Sequence, residues 1–179
     1  MKKILLILPL VLVLNVLYGQ RLLDRSGEVQ FYSEAPLENI EAINKQALGV
    51  IDITSQKVAA SLLMKGFRFE KALMEEHFNE NYVESDKYPK ATFSGTLAEP
   101  FNIEKDGSSE IRVTGDLTLH GVTNPVECIV RFEIKGTDIN AKTSFMVKVE
   151  DYEIKIPKVV IENIAEKILV TVTFDFKKP

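Results

Sequence analysis

Residues 111–126 run Ile111-Arg112-Val113-Thr114-Gly115-Asp116-Leu117-Thr118-Leu119-His120-Gly121-Val122-Thr123-Asn124-Pro125-Val126. Ile111, Val113, Leu117 and Leu119 alternate with Arg112, Thr114, Asp116, Thr118 and His120. A period of two places successive side chains on opposite faces of a strand, so this strand has one apolar face. Gly121 supplies a backbone angle closed to other residues, and Asn124-Pro125 ends the turn and relaunches an extended chain. The alternation then resumes. Val126, Cys128, Val130, Phe132 and Ile134 alternate with Glu127, Arg131, Glu133 and Lys135. The stretch is a hairpin with one greasy side.

Working outward, the same pattern recurs twice. Ile139, Ala141, Phe145, Val147 and Val149 alternate with Asn140, Lys142, Ser144, Lys148 and Glu150. Ile168, Val170, Val172, Phe174 and Phe176 alternate with Lys167, Thr171, Thr173, Asp175 and Lys177. Weaker strands fit Glu28–Ser33, Gly49–Thr54, Val58–Arg68 and Ala91–Ala98. The links are too short for crossovers, so about eight strands must run antiparallel. From Glu70 to Tyr82 the period changes. Met74, Phe78 and Tyr82 recur at i, i+4 and i+8, which predicts an amphipathic helix lying on the sheet. Pro36 with Leu37, Ile40 and Ile43 at helical spacing predicts a second short helix over Pro36–Asn44. The expected fold is all-β, an extended antiparallel barrel of eight strands with one or two short covering helices. Closure hides the apolar face. An outer-membrane barrel would turn that face outward and carry aromatic girdles, and this chain has no tryptophan.

The N-terminus has a different composition. Lys2 and Lys3 precede an unbroken apolar run from Ile4 to Leu14, and Gly19 stands before Gln20. A basic start, an apolar core of this length and a small residue before a polar one predict a secretory signal peptide over residues 1–19. A transmembrane anchor needs ~18 or more apolar residues, which Pro9, Asn15 and Gln20 interrupt. The barrel domain is then 20–179, and the localisation exported, periplasmic or secreted. Loss of Lys2 and Lys3 moves the formal charge from −4 to −6. An acidic domain is a poor partner for nucleic acid, whose phosphates require a cationic face. One cysteine among 179 residues rules out an internal disulfide and a multi-cysteine metal site.

Two segments carry a resemblance. Tyr88-Pro89-Lys90-Ala91-Thr92-Phe93 and Gly115 through Val126 match a "YP-x-A-x-F" strand and a "G-x-LT-x-HGVT-x-PV" hairpin. In both, the chain resembles the YceI-like family, over nearly everything from Gly27 onward. The resemblance implies a lipocalin-like barrel with an apolar tunnel, exported by a signal peptide. It also implies a long isoprenoid ligand such as a polyprenyl diphosphate or quinone. Two family segments depart from the pattern. The first position of "RD-x-HL" is Met74, ahead of His77, and the first position of "R-x-D-F-G" is Val149, ahead of Asp151. Losing two arginines argues for an apolar tail or neutral head over an anionic diphosphate.

The side chains expected to line such a tunnel are Phe67, Phe69, Phe78, Phe93, Leu117, Leu119, Phe132, Phe145 and Phe174. The pattern alone leaves a barrel filled by these rings as the alternative. The leading function is an exported carrier that holds an apolar lipid, without cofactor or metal and without catalysis. A second reading is a hydrolase or isomerase on a small amphiphile through His120 or His77. A base needs an orienting partner and a nucleophile in reach, and His120 is more simply a residue that hydrogen-bonds the tight corner. In a third reading the apolar face packs between the subunits of a homodimer. Cys128 lies on the apolar face and is expected to be buried and inert.

Overall fold

The computed structural model describes residues 21–157 and 164–179. The predicted leader lies outside the described residues. Among the described residues there are nine strands: β1 Arg21–Glu34, β2 Asn39–Asp52, β3 Lys57–Leu63, β4 Arg68–Phe69, β5 Lys90–Leu97, β6 Gly107–Leu119, β7 Val122–Lys135, β8 Asp138–Lys148 and β9 Lys167–Lys177. All pairings are antiparallel, in the order β1-β9-β8-β7-β6-β5-β3-β2, and β1 also pairs with β2. That last pairing closes the sheet. The result is an eight-strand barrel in which the two-residue β4 only extends the pairing of β2 beyond the end of β3. Closure satisfies the edge groups that an open sheet would leave bare.

The hairpin at the centre of the sequence is β6–β7, paired from Gly107↔Ile134 to Leu119↔Val122. His120 and Gly121 both have positive φ, +51° and +77°. Positive φ at both central residues is the two-residue turn whose twist matches paired strands. Outward positions on these strands carry Glu110, Arg112, Asp116, Glu127 and Arg131, all exposed, with Arg112 Nη1 2.8 Å from Glu127 Oε1. This is the reverse of a lipid-facing barrel, where charge on the outer wall is costly.

The helix prediction holds in part. Helix α1, Ala72–His77, continues into a π-helical turn over Phe78–Tyr82. Val83 N–H donates to the Phe78 carbonyl at 2.9 Å, a bond spanning five residues. The second helix does not form. Pro36 and Leu37 lie in the β1–β2 turn, and Asn39 onward pairs with β1 along Ile40↔Ser33, Ala42↔Phe31 and Asn44↔Val29. Ala42 and Asn44 point inward and are buried. The polar Asn44 concealed the alternation. It is tolerated because its Nδ2 donates to the Leu63 carbonyl (2.9 Å) and its Oδ1 accepts from Gln46 N–H (2.9 Å). A ladder with partners on both edges outweighs a weak helical spacing.

Other strand boundaries also differ. β1 begins at Arg21, seven residues before the expected start, because bulges between Asp24 and Val29 break its phase. Buried Asp24 accepts from the Ser26 N–H and hydroxyl and from Asp175 N–H, which pins the bulge. β3 stops at Leu63, where a 3₁₀ turn over Met64–Gly66 replaces the expected continuation to Arg68. β8 gives way at Lys148 to a 3₁₀ turn over Val149–Tyr152.

Candidate functional site

Inward residues of a filled barrel are buried almost completely. Here Ala91, Phe93, Leu117, Val126, Cys128, Val130, Phe145, Val170, Val172 and Phe174 all point inward yet are only half-buried. They face an open lumen. The cavity has a volume of about 440 Å3, inside the roughly 300–1,000 Å3 of small-molecule sites. Its wall is almost wholly apolar. All nine side chains expected to line a tunnel border it: Phe67, Phe69, Phe78, Phe93, Leu117, Leu119, Phe132, Phe145 and Phe174. Strand phase and sheet closure bring together the six on β5 to β9, Phe67 and Phe69 follow the 3₁₀ turn, and Phe78 comes from the helical segment.

The two ends differ. At one end Phe132, Ile139, Phe176 and Leu97 pack tightly, and Phe101 and Ile103, from the β5–β6 connection, fold in beside them. Phe101 lies 4.2 Å from Phe132, centroid to centroid. At the other end Phe31, Phe67, Phe69 and Phe78 form a box of rings with centroids 5.1–5.7 Å apart. Edge and offset contacts at such distances add roughly 0.5–1.5 kcal/mol per pair beyond area burial. Over this box lies the helical segment, which turns Met74, His77, Phe78, Tyr82 and Val83 toward the cavity. The expected spacing of Met74, Phe78 and Tyr82 therefore faces the lumen, while Leu73 is exposed. Val149, Ile154, Ile156 and Ile164 complete this end. Phe31 was not singled out from the sequence, although Val29, Phe31 and Ser33 share one strand phase that carries the signal.

Ionisable groups at the cavity among the described residues are Glu38, His77, Tyr82 and Cys128. Glu38 accepts a hydrogen bond from Lys71 Nζ, and that bond raises the lysine's pKa above its ordinary value. Burial raises the Tyr82 phenol, and burial raises the Cys128 thiol. Desolvation penalises the charged form in both cases. Both positions where the resembled family pattern has arginine, Met74 and Val149, present apolar side chains to the cavity.

His120 does not border the cavity. Its ring sits edge-on to Tyr88 (4.4 Å between centroids), with Nδ1 3.0 Å from the Tyr152 carbonyl and Nε2 3.0 Å from Glu84 Oε2. These contacts tie the β6–β7 corner to the segment after the helix and to the turn after β8. The ring is thus held as a corner residue, and of the two histidines only His77 faces the lumen. Among the described residues no group of three or more His, Cys, Asp or Glu is placed to hold a metal.

The chain matches the sequence profile described as the YceI-like domain over residues 23–176. It is similar to Protein YceI of Shigella flexneri, 35% identical over 81 residues, which is 42% of this chain and 39% of that protein. It is also similar to a UPF0312 protein of Vibrio campbellii, 38% identical over 58 residues, 32% of this chain and 28% of that protein. The aligned part thus spans about two fifths or less of these relatives. Among solved structures, the fold is shared with a polyisoprenoid binding domain from Saccharophagus degradans implicated in plant cell wall breakdown. There the TM-score is 0.74 at 14% identity, covering 89% of this chain and 99% of that one. BcnA of Burkholderia cenocepacia gives a TM-score of 0.70 at 16% identity, covering 83% and 95%.

Proposed function

The chain belongs to the YceI-like family, and from that premise we propose that it is an exported carrier holding a long isoprenoid-type chain inside its barrel. The observation that carries the reading is the hollow apolar lumen of about 440 Å3, bordered by half-buried rather than fully buried rings. Apolar walls favour a ligand with little to hydrogen-bond, at roughly 25 cal/mol for each Å2 of apolar surface removed from water. A likeness in fold to a polyisoprenoid binding domain supports an isoprenoid over other apolar chains. Met74 and Val149 at the wall support an uncharged end group, such as an alcohol or quinone, over a diphosphate. Export is supported by the basic start and apolar run of residues 1–19.

The test is a titration of the purified barrel with all-trans farnesol and with farnesyl diphosphate, read by calorimetry. Saturable binding of the alcohol, tighter than the diphosphate, is expected. Failure of both to bind would overturn the carrier reading, and preference for the diphosphate would overturn the uncharged head. N-terminal sequencing of the secreted or periplasmic protein is expected to begin at Gln20. Intact Met1 on protein confined to the cytoplasm would contradict export.

A further inference from the structure

Two phenylalanines in the lumen wall lie flat on glycines. Phe174, on β9, reaches across β1 to β2. A methyl group added at Gly27 would sit 2.1 Å from its ring, and one at Gly49 would sit 2.6 Å away. Phe93 lies over Gly95 and Gly115 at 2.8 and 2.7 Å, where the Thr114 and Ser94 carbonyl oxygens stand closer still, at 2.6 and 2.4 Å. Real Cβ atoms do not approach a ring so closely, so each ring occupies space that any other residue would fill. Gly49 pairs with Ala60, and Ala60 pairs with Phe93. Both rings therefore lie along one cross-strand row, with the small Ala60 between them. Phe174 also packs against both apolar clusters, the one at the closed end and the one under the helix. This row, the waist, lies at the junction of the two apolar clusters, with the part of the lumen toward Phe132 below it. The glycines keep the rings back against the wall, and the lumen stays continuous from Phe31 down to Phe132.

We propose that Phe174, seated on Gly27 and Gly49, sets how long an apolar chain the barrel accepts, with Phe93 on Gly95 and Gly115 as its counterpart. This rests on the carrier reading and assigns its length selectivity. A bulkier residue beneath Phe174 would lift the ring into the lumen and shut off the part below. Removing the ring would widen the waist and admit a longer chain. Gly27 and Gly49 are not among the glycines with φ in the left-handed region, so alanine fits their backbone angles. At Gly49 the three nearest atoms to an added methyl all belong to the Phe174 ring, whereas at Gly27 the Ala47 carbonyl also stands 3.1 Å away.

The experiment measures dissociation constants of the full barrel for geraniol, farnesol, geranylgeraniol and geranylfarnesol. In the starting protein, affinity should rise with chain length until the lower part of the lumen is filled. Gly49→Ala should keep geraniol binding and lose about tenfold or more on the longest alcohols. The double variant Gly49→Ala with Phe174→Ala should recover them. Phe174→Ala alone, which adds no bulk, should shift the preference toward the longer end of the series. An unchanged length profile in a folded Gly49→Ala protein would overturn the proposal, as would an unchanged optimum in Phe174→Ala. If the starting protein binds the series and the profiles do not move, only the waist falls. If it binds none of the alcohols, the carrier reading falls with it.

Discussion

Replacing Val172 by phenylalanine separates a hollow barrel from a filled one by the sign of a stability change. Val172 is half-buried, borders the cavity, and has Val29 on one neighbouring strand and Thr143 on the other. Both neighbours are small, and a lumen of about 440 Å3 lies ahead of the side chain. A benzyl group in place of an isopropyl then finds room and removes apolar surface from water. At roughly 25 cal/mol per Å2 the gain is about 1 kcal/mol. In a closely packed core the same change forces strained rotamers and costs about 1–3 kcal/mol. For a domain of this size, 1 kcal/mol moves the melting temperature by roughly 2–4 °C. Thermal and urea unfolding followed by circular dichroism should therefore show Val172→Phe at or above the starting stability. Farnesol affinity should meanwhile drop, since the ring occupies the ligand's volume. A fall of 1 kcal/mol or more in stability would refute the argument that this space is empty.

Other expectations are independent of that one. His120→Ala removes the bonds to Glu84 and the Tyr152 carbonyl and should cost about 1–3 kcal/mol of unfolding free energy. Farnesol affinity per folded molecule should stay within about twofold, because the ring is off the cavity. A large loss of affinity with unchanged stability would instead favour an active role for His120. Gly121→Ala places a side chain at φ +77° and 2.6 Å from the Tyr88 ring, and denaturation should register about 1–3 kcal/mol lost. The Cys128 thiol is raised by burial, and the thiolate is the reactive form. Iodoacetamide should therefore label it more slowly than a free cysteine at pH 8, speed up only as pH climbs further, and slow again when farnesol fills the lumen. Fast labelling at pH 8, with or without farnesol, would place Cys128 outside the cavity.

The period-two runs of β6, β7, β8 and β9 carried the architecture because each has one face buried and one solvated, which fixes phase without tertiary knowledge. The helical stripe Met74, Phe78 and Tyr82 was legible for the same reason at the other period. β1 and β2 were not. Asp24 and Asn44 are buried polar residues that hydrogen bonds make tolerable, and no residue pattern announces those bonds. Phe101 and Ile103, which close one end, sit in an irregular connection with no phase to read. The placement of the six lumenal side chains on β5 to β9 followed from strand phase and that of Phe78 from helical spacing, while Phe67 and Phe69 follow the 3₁₀ turn. Whether the rings filled or lined the barrel followed from neither, since that depends on curvature and on cross-strand register. The seating of Phe174 on Gly27 and Gly49 joins residues more than a hundred positions apart, and only the closed sheet brings them together.

The most direct test of the carrier account is native mass spectrometry of the protein purified from its own cells, followed by organic extraction of the same sample. The expected result is a bound species that dissociates in the gas phase and is recovered in the organic layer as an isoprenoid-type lipid without a phosphate group. Protein of the bare chain mass alone, with no extractable lipid and no uptake of added farnesol, would contradict it.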